Sequence, residues 1–132
     1  MLSPMSSPAY WAFHLHIAVE LLAGYTFIYR PHTQLQPLPL QARLVLECYG
    51  GLLVFSAIIA ALFCFREFDH TSRMAAAAFA FWHLWPSRRA VIRLQQPVPL
   101  SSAVASTLGG PKVHLATHAI LFMGFGMAAI YG

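Results

Sequence analysis

Glu20 and Glu47 stand inside long apolar stretches of a chain that has only four acidic residues in 132. A charged group near the centre of a bilayer costs at least ~2.5–3.5 kcal/mol, so carboxyls left there point to function before solubility. The same stretches carry His14, His16, His83, His114 and His118. Burial disfavours the charged form of a titratable group. Two carboxyls in different surroundings therefore rest in different protonation states, the arrangement that general acid–base work requires. Such a pair suits proton-driven reactions of apolar substrates: epoxide opening, a double-bond shift, or cyclisation of a polyene. A neutral acid protonates the leaving oxygen or the alkene, and a carboxylate or imidazole activates water or removes a proton. This chemistry needs no cofactor, and the sequence has no phosphate-cradling glycine loop, haem-attachment motif or nucleophilic Ser or Cys arrangement.

Composition fixes the solvent these residues face. Hydrophobic residues make up 58% of the chain and charged residues 9%, against about 25% charged in a soluble globular domain. Too few polar residues remain to cover a water-facing surface, so membrane lipid must cover most of the exterior. The net charge of +4 is too scattered for nucleic acid, with no basic stripe or interleaved aromatic platform. Cys48 and Cys64 lie on one predicted helix about 24 Å apart at helical rise. They cannot pair with each other, and no metal-type cysteine spacing is present.

The elements that must position the candidate residues read as an all-α membrane protein, a four-helix antiparallel transmembrane bundle forming one domain over 1–132. The spans are expected at about 9–29, 40–65, 71–93 and 111–131. Tyr10 and Trp11 at one end of the first span, and Tyr29 with Arg30 at the other, are interfacial anchors. That span lacks the basic flank and small-residue cleavage site of a signal peptide. Arg30-Pro31 and the Pro37–Pro39 run end it. The third span has only a 12-residue strictly apolar part, Met74 to Trp85, against the ~20 required. It reaches length by continuing through Pro86, with Arg88, Arg89 and Arg93 snorkelling at the interface. Residues 98–108 read as a re-entrant or surface segment.

Depth brings the polar residues together. At ~1.5 Å per residue from the helix ends, Glu20 lies ~13 Å deep, Glu47 ~10 Å, His83 ~15 Å and His118 ~10 Å, all in the same half of the bilayer. His16 shares a face with Glu20, His114 with His118, and Arg43 with Glu47, each pair four residues apart. Glu20, Glu47, His83 and His118 are the catalytic candidates, with the two glutamates as acid and base. Arg43 or Arg88 would stabilise developing oxyanion charge, and His16 and His114 would complete a pocket. Plainer roles stand beside these: an Arg43–Glu47 pair at the interface, and aromatic packing of His83 between Trp82 and Trp85. The H-x-x-x-H pair His114/His118 is weak as a metal motif, and no metal is assigned. Gly24, Gly50-Gly51 and the alanines of the third span form small-residue seams that let helices approach. Pro86 frees the carbonyl four residues back, a break tolerated where it lines a cavity.

Both termini fall on one side of a four-span bundle. The opposite side holds Arg30, Arg43, Arg88, Arg89, Arg93 and Lys112, and the positive-inside rule makes it cytosolic, with the termini lumenal or external. The four-span layout, with FWHLWPSRRA and GGPKVHLATH, resembles the small integral-membrane proteins of fungal polyketide and meroterpenoid biosynthesis. The likeness covers nearly the whole chain in layout. It implies epoxide hydrolase or cyclase activity on a polyene epoxide, an endoplasmic-reticulum-type membrane and a lipophilic substrate. A looser likeness is to sterol isomerases of the emopamil-binding type, which are longer. The expected function is acid–base opening of an epoxide of a lipophilic polyketide or terpenoid intermediate. An isomerase or oxygenase on a similar substrate, or a non-catalytic membrane partner, remains open. The sequence leaves the oligomeric state unspecified.

Overall fold

The computed structural model describes residues 8–96 and 107–132. They form four helices, α1 (Trp11–Tyr29), α2 (Leu40–Cys64), α3 (His70–Gln95) and α4 (Gly110–Tyr131), with short 3-10 turns at Pro8–Tyr10, Pro31–Thr33 and Thr107–Gly109. The expected re-entrant or surface segment at 98–108 lies almost wholly outside the described residues. α1, α2 and α4 are long and apolar enough to cross a membrane. α3 carries Arg73, Arg88, Arg89 and Arg93 and lacks that apolarity. Its 26 residues nonetheless reach about 39 Å at helical rise, beyond the ~30 Å hydrocarbon core.

Local chemistry sets the helix ends. Pro31 stops α1, and the Arg30 N–H closes the last turn onto the Thr26 carbonyl at 2.9 Å. Asp69 caps α3: its Oδ1 accepts from the Ser72 N–H at 2.9 Å and from the Ser72 hydroxyl at 3.0 Å, satisfying a donor of the first turn. That backbone N–H, first among its neighbours, holds the Asp69 carboxyl below the usual carboxylate range. Where the chain enters α4, Leu108, Gly109 and Gly110 all have positive φ, from 53° to 81°. The paired glycines supply the left-handed turn there without steric cost. Pro86 lies within α3 without ending it.

The helices run up, down, up and down. Antiparallel α1 and α2 meet at Phe13–Phe63 and Phe27–Tyr49, and antiparallel α3 and α4 at Phe79–Phe125 and His83–His118. α1 and α2 approach most closely at Gly24 and Gly50. A Cβ on Gly24 would lie 3.1 Å from the Gly50 carbonyl, and one on Gly50 would lie 3.1 Å from that of Gly24. Trp11 packs where a Cβ on Gly124 would sit, which joins α1 to α4. The main core is aromatic: Phe13, Phe79 and Phe125 have ring centroids 5.0–5.8 Å apart. α2 and α3 splay apart along their middles, leaving a 400 Å³ apolar cleft between Phe55/Ile59 and Ala78/Trp82. Cys48 is exposed and Cys64 buried, and neither is in a disulfide.

Candidate functional site

Above the aromatic floor, three imidazoles from three helices form a continuous chain. His16 of α1, His83 of α3 and His118 of α4 are all buried. His16 Nδ1 is 3.0 Å from His83 Nε2, and His83 Nδ1 is 2.8 Å from His118 Nδ1. Each contact needs one N–H and one lone pair, and a neutral imidazole has one of each. Only two arrangements of protons then satisfy both bonds. In one, His16 donates to His83 and His83 to His118; in the other, both bonds point the opposite way. Uptake of a proton at one end nitrogen and release at the other, with a hop across each bond, converts one into the other. The rings are held by packing: His16 against Phe79 at 4.6 Å and His83 stacked on Phe125 at 5.7 Å.

Glu20 lies one turn from His16 on the same buried face. Its side chain is 1% exposed, and its Oε1 accepts from the Trp82 indole N–H at 3.4 Å. The distance from Oε1 to His16 Nδ1 is 3.8 Å, beyond a direct hydrogen bond. Proton exchange between these two therefore takes a bridging water or a small rotation of either group. His114 sits a turn from His118, with ring centroids 4.4 Å apart. Its Nε2 is buried without a hydrogen-bond partner among the described residues.

Glu20, Tyr49, Pro86, Arg89, His114 and His118 share the wall of a small cavity of about 20 Å³, enough for one water. A larger groove of about 260 Å³ runs between α1 and α4 and shares Ala23, His114 and His118 with that cavity. Its other lining residues include Val19, Leu22, Leu108 and Val113.

Of the four residues expected to be catalytic, Glu20, His83 and His118 come together, and Glu47 does not. Glu47 flanks the face of α2 that packs on α1. It is 30% exposed and accepts from Arg43 Nε at 2.7 Å, with Arg43 itself 58% exposed. The pair is an exterior one, so the paired-carboxylate site and the oxyanion role for Arg43 are corrected. Arg88 is also exposed; one residue along the helix turns it about 100° from Arg89, which lines the cavity in its place. His16 is the α1 end of the imidazole chain, and His114 lines the cavity. Sequence reasoning missed Arg89, Trp82 and Tyr49. The signal for two of them was helical: Trp82, Pro86 and Arg89 follow the i, i+4, i+7 spacing of one face.

Among the described residues, those that could hold a metal are His16, Glu20 and His83, which offer three ligand atoms within 4.8 Å of one another. The His114/His118 pair considered from spacing is not part of that trio. No protein-family model matches the chain, and neither a curated protein nor a solved structure matches it significantly.

Proposed function

We propose that the protein is a membrane-embedded acid–base enzyme that opens an epoxide of a lipophilic polyketide or terpenoid intermediate, by hydrolysis or cyclisation. The observation that carries this reading is a lone buried carboxyl set beside a three-imidazole chain whose far end meets the same cavity. Protonated Glu20 donates to the epoxide oxygen as the C–O bond breaks. A water beside His118, or a hydroxyl of the substrate, attacks the carbon, and its proton passes to His118. The proton hops from His118 to His83 and on to His16 Nδ1, and His16 gives up its proton at Nε2. Water returns a proton to Glu20, and ring rotation restores the starting polarity of the chain. Each turnover thus ends with the acid reloaded. The base is an imidazole, because Glu47 is paired with Arg43 on the exterior and does not line the cavity. The α1–α4 groove supplies a route for a lipophilic substrate from the bilayer.

We assign the protein to an endoplasmic-reticulum-type membrane with lumenal termini; the excess of Arg and Lys near the α1–α2 and α3–α4 connections supports that orientation. A metal-dependent oxygenase is the second reading, favoured by the His16/Glu20/His83 donor trio. The test supplies membranes containing the protein with a panel of lipophilic epoxides and alkenes. Wild-type membranes should form diol or cyclic ether, and Glu20→Gln should lower turnover about 10²–10⁴-fold. Near-normal product formation by the Gln variant sinks the acid–base mechanism.

A further inference from the structure

Arg89 is the cation of this site that lacks an anion. Ion pairs among the described residues are His16–Glu20, Arg43–Glu47 and Arg66–Asp69, and none includes Arg89. Its hydrogen-bond and ring contacts are neutral, and its charged neighbour Arg93 is another cation. One guanidinium N–H donates to Gln34 Oε1 at 3.4 Å, and the group lies 5.5 Å from the Phe27 ring centroid. Arg88 beside it is exposed and can reach headgroups and water. Arg89 is half-buried and turned to the cavity wall, where a cation without a counter-charge is costly.

We infer that Arg89 holds the carboxylate head of an amphiphilic substrate whose apolar chain lies in the α1–α4 groove. The subsite rests on the proposed function, since it names the class of lipophile that function would use. The planar guanidinium matches a carboxylate through two parallel hydrogen bonds. The cavity beside it is only about 20 Å³, so a head that enters it must displace the single water it can hold, which suits a small two-oxygen group. From that cavity the path leads past His114 and His118 into the groove, whose Val19, Leu22 and Val113 walls suit a hydrocarbon chain. The ligand is then a long-chain monocarboxylic acid with its reacting group set back from the head. On α3, Arg89 lies six residues beyond His83, or about 9 Å. On α1, Phe27 under the guanidinium lies seven residues beyond Glu20, or about 10 Å.

The experiment measures binding of radiolabelled oleate and methyl oleate to the full-length protein in phosphatidylcholine nanodiscs. Wild type should hold oleate about 10-fold more tightly than the ester, because esterification removes the charge that strengthens the hydrogen bonds to the guanidinium. Arg89→Gln should erase the preference, Arg89→Lys should keep part of it, and Arg88→Gln should leave it intact. Equal binding of acid and ester by the wild type overturns the subsite without reference to any variant. So does a preference that survives Arg89→Gln. Displacement of oleate by phosphatidylserine in the disc overturns it too, because a bilayer headgroup then occupies Arg89. Binding and turnover are separate readouts. Arg89-dependent oleate binding without epoxide turnover refutes only the proposed reaction, and turnover with equal acid and ester binding refutes only the subsite.

Discussion

Two stretches of this chain carry the same polar pattern and have opposite fates. On α1, His16, Glu20 and Gly24 follow one another at four-residue spacing, as do Arg43, Glu47 and Gly51 on α2. All three residues of the first set are buried, and all three of the second are at least partly exposed. The base in each set explains part of the difference. A neutral imidazole can enter a core if its nitrogens find partners, whereas a guanidinium stays charged and snorkels outward with its carboxylate. Packing explains the rest. α2 presents Gly50, Leu53, Ala57, Ala60 and Cys64 to the bundle, and its close approach to α1 is made by Gly50, leaving Gly51 on the outside. A carboxyl in an apolar span is therefore not by itself a site. It becomes one when the helix is turned to bring partners to it.

The sharpest way to break this comparison is to remove proton exchange from each carboxyl in turn. Glu20→Gln should cost about 10²–10⁴ in turnover, while Glu47→Gln should leave product formation from the same substrate near wild type. Equal losses would mean that the exterior pair belongs to the machinery after all. The glycines one turn on give the next largest contrast. A Cβ at Gly24 would meet Val54 Cγ2 at 2.8 Å, whereas nothing lies within 4 Å of one at Gly51. Gly24→Ala should destabilise by about 1–3 kcal/mol through overpacking, and Gly51→Ala should be neutral or stabilising by up to ~1 kcal/mol through helix propensity. Thermal unfolding of both variants in one detergent checks the opposite signs.

Helix depth was legible in the sequence, and helix rotation was not. Hydropathy and the proline breaks put the four helices within two residues of their observed bounds. Counting residues from the ends put Glu20, His83 and His118 at compatible depths. Depth advances 1.5 Å per residue, so an error of one residue matters little. Rotation advances about 100° per residue, so the same error changes a residue's face. Arg88 against Arg89 is such a case, and so is Gly51 against Gly50. In a soluble helix the polar stripe reveals the outward face. In these helices both faces are apolar, because lipid asks for the same side chains as the core. The imidazole chain was visible as a set of histidines at related depths, but the place of His16 at its end depended on the rotation of α1 relative to α3.

Smaller effects sharpen the comparison further. The exposed Arg43–Glu47 pair should be worth about 0.3–0.5 kcal/mol, so Arg43→Gln should barely move the melting temperature. Its effect should shrink further in high salt. His16→Gln, by contrast, breaks one end of a buried chain and should destabilise measurably in the same assay. Metal analysis of the purified protein, with and without a chelator, separates the two readings of the buried set. Activity restored by one metal after chelation would favour the donor trio over the proton relay. The smallest effect concerns acid. Asp69 has its folded pKa depressed by the Ser72 N–H, so its contribution to stability is present above the unfolded value of about 3.9 and is lost as pH falls through the folded value. Asp69→Asn keeps the cap but removes that dependence, flattening the stability profile below about pH 4.

The imidazole chain also sets an order of manufacture. His16 bonds to a residue 67 positions later and Glu20 to one 62 positions later. At 5–20 residues per second, α1 is complete roughly 3–11 s before either partner exists. During that interval its buried polar side chains face lipid or the insertion machinery. The chain closes only when α4 arrives with His118. A ribosome stalled after α3 would leave His83 Nδ1 without the ring that meets it, so secure seating of the first helix depends on the synthesis of the last.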